Sequence, residues 1–477
     1  MNIFRDSKKR LALIKKQKDA FLKIAQQSKT PLYLFDKTEI QKNLKTFKNA
    51  FRNEGIDINV FYAVKSNYYH GLLKTVVKEG ENLDVSSQRE LKLALKAGAK
   101  QIIYTGPAKT KEDFELILKH HEKINVNLES LRELRLLAEM AEKKKVIMRC
   151  GVRIYTRMQN GWTKFGIPME ELATFFREAQ KYKSIHFCGI HFHISFNKNP
   201  EKYIKTLEML SEYLQKNFTQ TEREEFEYLD IGGGFYPQQW QAIYSWNEDQ
   251  ESAIPEERDY IKEILEDKFL SRTLTVLSQP IEIFAQEISR VLQKKIKNVL
   301  PNVSFYAEPG RYISHSCMHF LLNLVDIKTP HIGITDGGNN MVGWELFQFY
   351  YYAPIFNLSQ FDEEREIPFI TYGSLCTPDD IWGYYLYTKK QPKEGDILLI
   401  PYQGAYTYTL AQQFIKDVPP VYDLGGKLNI ADFVFLCYNT KNKQYFSPWW
   451  IALLTINLKK IPSSFIMSEK QKHCWHL

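Results

Sequence analysis

Asn59-Val60-Phe61-Tyr62-Ala63-Val64-Lys65-Ser66-Asn67 is a short apolar run that stops on a lysine. Val, Phe, Tyr and Val in close succession suit a strand inside a parallel sheet. An ammonium at the end of such a strand needs a partner, because burying it alone is costly. Two readings follow. A desolvated lysine loses its proton more easily and becomes a nucleophile that forms a Schiff base with a carbonyl. Alternatively, the side chain snorkels to the surface at the strand end. The flanking sequence decides between them.

On the N-terminal side, residues 31–35 read as a strand and 37–53 have helical spacing. Before them, residues 1–27 are basic and amphipathic, without the apolar core or cleavage site of a secretory signal, and are expected to form a surface helix. On the C-terminal side a helix is expected over 72–78 and a strand over 83–86, where Ser87 and Glu90 form a capping box for the next helix. Further strands are expected at 102–104, 124–126, 146–148, 187–191, 228–231 and 303–307, with amphipathic helical segments between them. About eight such repeats with no single switch point indicate an α/β fold of the (β/α)8 barrel type. Past Ile313 the helical periodicity fades and short strands with turn signals take over, which predicts a C-terminal all-β domain. The expected organisation is a helix and strand over 1–37 that pack with the β domain, a barrel over 38–313, a β domain over 314–440, and a tail over 441–477 of unusual composition. Residues 237–280, polar and rich in Glu, Gln and Trp, read as an insertion with helices of its own.

Composition excludes several classes. At 477 residues, 44% hydrophobic and 25% charged, the chain has the make-up of a globular protein with more than one core. The net charge of +8 is the balance of 64 basic and 56 acidic residues spread along the chain, not one dense stripe, so no nucleic-acid partner is expected. No apolar run is long enough to span a membrane; residues 449–458 are too short. Six cysteines without a CxxC pair argue against a structural zinc site or a disulfide framework, and suit a reducing cytoplasm.

Three motifs carry chemistry. Leu229-Asp230-Ile231-Gly232-Gly233-Gly234 runs a strand into glycines, where backbone N–H groups can converge on an anion. Ala307-Glu308-Pro309-Gly310-Arg311 sets a carboxylate and a guanidinium at another strand end, equally readable as an ion pair capping a loop. His191-Phe192-His193 puts two histidines on one side of a strand, a pattern also found at divalent metal sites. Such a site would need a later histidine at a strand end, and none is offered. In the β region, Gly373-Ser374-Leu375-Cys376-Thr377-Pro378-Asp379-Asp380 carries a cysteine beside acids that is either reactive or an inert core thiol.

Taken together and in this order, the motifs over roughly residues 30–430 resemble those of the barrel-type pyridoxal-phosphate decarboxylases, the ornithine and diaminopimelate decarboxylases and their relatives. The resemblance implies that Lys65 bonds the cofactor aldehyde and that His193 stacks on the pyridine ring. It implies that Gly232, Gly233 and Gly234 bind the phosphate through their N–H groups, with Arg311 and the Tyr406 hydroxyl. Glu308 would pair with the pyridine nitrogen. Asp84, Arg153 and Lys164 sit where the family has supporting polar residues. Cys376 and Asp380 would reach into the site of a partner subunit, which implies a homodimer with shared sites and a small amino-acid substrate.

The departures concern phosphate and substrate. The family's usual His-x-Gly-Ser or His-x-Gly-Thr reads His193-Ile194-Ser195-Phe196 here, which removes or replaces one phosphate-side hydroxyl. The acid that follows the cysteine and holds a distal ammonium is Thr377 here, and the arginine after Asp336-Gly337-Gly338 is missing, its place falling near Trp344. Without both groups the charge pattern for a distal amino-acid head is lost. The expected substrate is then an amino acid in modified or carrier-linked form. Two other functions compete: a catalytically inactive relative that only binds, and a metal-dependent hydrolase built on His191 and His193.

Overall fold

A computed structural model describes residues 3–159, 163–242, 273–276, 278–342, 353–362, 365–425 and 427–429. The first strands are β1 (Leu32–Phe35), β2 (Ile58–Ala63), β3 (Asn82–Val85), β4 (Ile102–Thr105), β5 (Ile124–Leu128) and β6 (Met148–Tyr155). They are followed by β7 (Ile167–Pro168), β8 (Ile185–His191), β9 (Tyr228–Asp230), β10 (Gln239–Ala242), β11 (Thr273–Val276) and β12 (Ser304–Ala307). Strands β2, β3, β4, β5, β6, β8, β9 and β12 pair in parallel in that order, and β12 returns to β2, closing an eight-stranded (β/α)8 barrel.

Local chemistry sets the helices between them. Asp36 accepts from Thr38 N–H to start the helix Lys37–Asn53, and Thr110 with Asp113 forms a full capping box for Lys111–Lys119. At the expected Ser87–Glu90 box, Ser87 Oγ does accept from Glu90 N–H, but the Glu90 carboxylate reaches one residue further back, to Ser86 N–H at 2.7 Å. The barrel interior is filled by Tyr228, which stacks on Tyr306 at 5.0 Å and donates from its hydroxyl to Asn127. Gly189 makes room for it: a Cβ there would lie 2.0 Å from the Tyr228 ring.

The β domain has strands β13 (Met318–Thr329), β14 (Ile332–Thr335), β15 (Phe356–Asn357), β16 (Glu366–Tyr372), β17 (Ile381–Tyr387), β18 (Ile397–Ile400), β19 (Val421–Asp423) and β20 (Lys427–Asn429). Strands β13, β14, β16, β17, β15 and β18 form a closed ring. Strand β1 extends it, antiparallel to β13 and parallel to β19. The N-terminal helix Ile3–Ser28 packs here too: Ile14, Phe21 and Ile24 are buried with Leu32, Leu34, Leu321 and Leu399. Burying each such side chain contributes about 1.5–3 kcal/mol.

Several boundaries differ from the sequence expectation. Strand β2 ends at Ala63, and Lys65 lies in a single 3-10 turn, Val64–Ser66. The strand expected at 146–148 begins at Met148 and runs to Tyr155, because Ile147 is 64% exposed and the charges of Arg149 and Arg153 mask the buried face that follows. Of the 237–280 insertion, the described part is the antiparallel pair β10–β11; its expected helices, Trp344, residues 449–458 and the tail over 441–477 lie outside the described residues. Among the described residues no helix is long and apolar enough to cross a membrane.

Candidate active site

The C-terminal ends of the barrel strands bring Lys65, Asp84, His191, His193, Asp230 and Glu308 together. Lys65 Nζ donates to Asp84 Oδ2 at 2.8 Å; the lysine is 33% exposed and the aspartate 1%. Glu308, at the end of β12, lies with Oε2 3.3 Å from His193 Nδ1 and Oε1 3.4 Å from His191 Nε2. Asp230, at the end of β9, is buried and accepts from Gly232 N–H at 2.8 Å.

Electrostatics sort these groups. Burial would lower the Lys65 pKa, but the carboxylates of Asp84 and Glu308 outweigh it and raise it. The expected loss of the lysine proton through desolvation is therefore corrected: the neighbours keep it. Burial and the Glu308 charge push Asp84 up to about 7 against the pull of Lys65. Burial and the Glu308 charge also raise Asp230 well above the ordinary range. Glu308 stays ionised: burial opposes its charge, but the two histidine contacts and Lys65 hold it well below the usual carboxylate value. Burial lowers His191, and lowers His193 to about 4. Gly233 N–H, at 3.1 Å, and Glu308 Oε2, at 3.3 Å, both approach His193 Nδ1, which accepts from the glycine in one tautomer and donates to the carboxylate in the other.

The glycine loop is tight. Gly232 and Gly234 have φ of +69° and +94°, and a Cβ on Gly234 would lie 1.7 Å from the Ile194 carbonyl oxygen. All three N–H groups were expected to face a phosphate, yet those of Gly232 and Gly233 are bonded to Asp230 and His193. Arg311 sits beside the loop, its guanidinium 4.6 Å from the Tyr406 ring centroid. Tyr406 reaches the barrel from the β domain, where its N–H donates to Ser66 O at 2.8 Å and Asn67 Nδ2 donates to Gly404 O at 2.8 Å.

Arg153 is half-buried 3.5 Å from Glu129, with its guanidinium 4.4 Å from the Phe165 ring. Lys164 is exposed on the adjacent loop, which Glu129 holds by accepting from Gly166 N–H at 3.0 Å. Sequence reading missed Glu129, because its two partners lie on later elements and no local motif marks it.

The Gly373–Asp380 loop is different. Asp380 is buried, and its two carboxylate oxygens accept from Asn339 N–H at 2.7 Å and Leu375 N–H at 2.6 Å. A Cβ on Gly373 would lie 2.2 Å from that carboxylate. Asp380 therefore shapes its own loop, each carboxylate oxygen already accepting one bond within the chain. Cys376 is exposed and Thr377 half-buried; among the described residues no hydrogen bond or ion pair joins them to the Lys65 cluster.

The mouth fits pyridoxal phosphate. Glu308 Oε1 is buried without a hydrogen-bond partner among the described residues, as an acceptor for a ring N–H would be. Lys65 offers an amine and Arg311 a cation beside a loop that only glycine can form. His191, His193 and Glu308 also lie close enough to hold a metal ion, as do His186, Cys188 and Glu227 at the other end of the barrel, where Arg149 engages Glu227 at 2.6 Å.

A sequence profile of the family "Pyridoxal-dependent decarboxylase, pyridoxal binding domain" matches residues 37–315, and the chain belongs to this family of pyridoxal-phosphate-dependent carboxy-lyases acting on amino acids. This displaces the metal-hydrolase reading. The diaminopimelate decarboxylase of Methanothermobacter thermautotrophicus is 25% identical over 435 residues, covering 86% of this chain and 90% of that one. A Staphylococcus aureus 2-[(L-alanin-3-ylcarbamoyl)methyl]-2-hydroxybutanedioate decarboxylase is 22% identical, covering 81% and 92%. The crystal structure of diaminopimelate decarboxylase from M. jannaschii shares the fold at a TM-score of 0.69 and 21% identity, covering 85% and 89%.

Proposed function

We propose that this carboxy-lyase acts on an amino acid whose far end carries no ammonium, and that its sites are completed across a homodimer. The observation that carries the substrate reading is the loop after β16. Thr377 follows the cysteine and brings no charge, and the nearby acid Asp380 is spent on two backbone N–H groups. The S. aureus relative supports this reading, since its name describes an amide-linked conjugate with carboxylates at the far end. The four described cysteines are free, in keeping with a reducing cytoplasm.

When bound, pyridoxal phosphate supplies an electron-accepting ring that stabilises the charge left on the α carbon as CO2 departs. The chain's own residues do the rest. Glu308, ionised, keeps the ring nitrogen protonated. Lys65 supplies the amine, and Asp84 at 2.8 Å is the acceptor for the proton the amine must give up. His193, neutral, offers a flat face with no competing charge. Arg311, Tyr406 and the glycine loop hold the phosphate, while Arg153 and Lys164 flank the entrance. Cys376 would reach this site from the partner subunit.

The test is CO2 release from free ornithine and diaminopimelate against amide-conjugated diamino acids. A charge-assisted bond to a distal ammonium contributes about 1.5–3 kcal/mol, so the free diamino acids are expected to turn over about 10- to 100-fold less efficiently than the conjugates. Efficient turnover of ornithine or diaminopimelate refutes the substrate reading.

A further inference from the structure

Three aromatic rings bracket the Arg311 guanidinium, whose carbon lies 4.6 Å from the centroid of Tyr406, 5.5 Å from Tyr236 and 5.6 Å from Phe196. Phe196 is the unexpected member. It stands where the family motif carries a hydroxyl, it is 41% exposed, and its φ is +56°. A bulky side chain rarely adopts that backbone, and does so where its surroundings impose it.

Here Asn197 imposes it. Its side chain donates to Ile194 O at 2.6 Å, closing the turn over Ser195 and Phe196. Its N–H donates to Gly234 O at 2.9 Å, and its carbonyl accepts from Tyr236 N–H at 3.2 Å. One residue thus locks the Phe196 turn onto the glycine loop and onto the second bracketing ring. Phe196 and Tyr236 face each other at 6.3 Å beside the guanidinium.

This arrangement answers a shortage on the phosphate side. Two of the three glycine N–H groups are engaged within the chain, and Phe196 stands in the motif position of the hydroxyl, with Ser195 one residue before it. A flexible arginine could replace them only if it were held in place, since its stem loses rotamer freedom on binding. A guanidinium between ring faces is held in place by cation–π attraction.

We propose that Phe196, with Tyr236, is a positioning residue that holds the Arg311 guanidinium ready for the cofactor phosphate. The proposal rests on the reading of Arg311 as a phosphate ligand. In this account a pre-set cation offsets the displaced hydroxyl.

The test is the affinity of the cofactor-free protein for pyridoxal phosphate and for pyridoxal, which lacks the phosphate, by equilibrium titration. Phe196→Leu keeps an apolar side chain on the same backbone and removes the ring. The pyridoxal phosphate Kd is expected to rise about 3- to 10-fold, while that for pyridoxal and the apoprotein melting temperature stay unchanged. Phe196→Trp should restore wild-type affinity. Equal loss for both ligands, or no loss for either, overturns the proposal, as does tighter binding by Phe196→Leu. Arg311→Ala separates the two levels. If it leaves the preference for the phosphorylated ligand intact, the phosphate reading of Arg311 fails and the proposal with it. If it abolishes that preference while Phe196→Leu retains it, only the bracket is wrong.

Discussion

The barrel mouth and the Gly373–Asp380 loop both carry acids from the motifs of one family, yet the acids are in opposite situations. At the mouth, Glu308 Oε1, Asp84 Oδ1 and Asp230 Oδ2 are buried without hydrogen-bond partners among the described residues. Burying such atoms is costly, so that region is built for something it binds. In the loop, both oxygens of Asp380 are satisfied by neighbouring N–H groups. The difference teaches that an acid in a motif is assigned by what its lone pairs already do.

The largest expected effect separates the two regions directly. Lys65→Ala should abolish the visible absorbance of the lysine-bound cofactor and lower turnover by about 10²–10⁴-fold or more, whereas Cys376→Ala should lower turnover and leave the absorbance in place. If sites are shared, mixing the two variants after mild dissociation should recover roughly a quarter of wild-type activity, since about half the dimers are mixed and each has one intact site. No recovery despite proven subunit exchange would mean that each chain supplies both residues.

A smaller effect sharpens the electrostatics of the mouth. His193 is lowered to about 4 from its ordinary 6.5, so its contribution to stability is present above pH 6.5 and lost as pH falls toward 4. Asp84 is raised from 3.8 to about 7, so its contribution is present below about pH 3.8 and lost as pH rises toward 7. In the cofactor-free protein the two oppose each other across pH 4 to 6.5. Removing one should unmask the other: His193→Gln should lose less stability than wild type on acidification and Asp84→Asn more, each by up to about 3 kcal/mol. Urea midpoints at a series of pH values would show it; parallel profiles for all three proteins would contradict the assignment.

The smallest effect belongs to the loop. Asp380→Ala leaves one buried and one half-buried N–H group unpaired and should cost about 1–3 kcal/mol of stability, with the pyridoxal phosphate Kd unchanged. An unchanged melting temperature with a raised KM would instead make Asp380 a substrate ligand.

Much of the barrel was legible because strands such as Ile102–Thr105 and Ile124–Leu128 are apolar and bounded by capped helices. Strand β6 was misplaced because Arg149 and Arg153 interrupt its apolar pattern, each answered by an acid on another element, Glu227 or Glu129. The charged cluster at the mouth was legible through the family motifs, which are local. The role of Asp380 was not, because one of its partners, Asn339, lies 41 residues away on another turn. The bracket of Phe196, Tyr236 and Tyr406 around Arg311 was hidden for the same reason: it is a meeting in space of four unrelated stretches.

Strand β1 has a consequence for how the chain is made. It precedes the barrel in the chain, yet its neighbours in the sheet, β13 and β19, emerge from the ribosome only after the whole barrel. Leu32, Tyr33, Leu34 and Phe35, all wholly buried in the finished protein, must therefore wait while the barrel is made as an apolar strand with both edges open. The β domain is in this sense sewn shut across the barrel, and a newly made molecule that lacks Leu32–Phe35 would lack the thread.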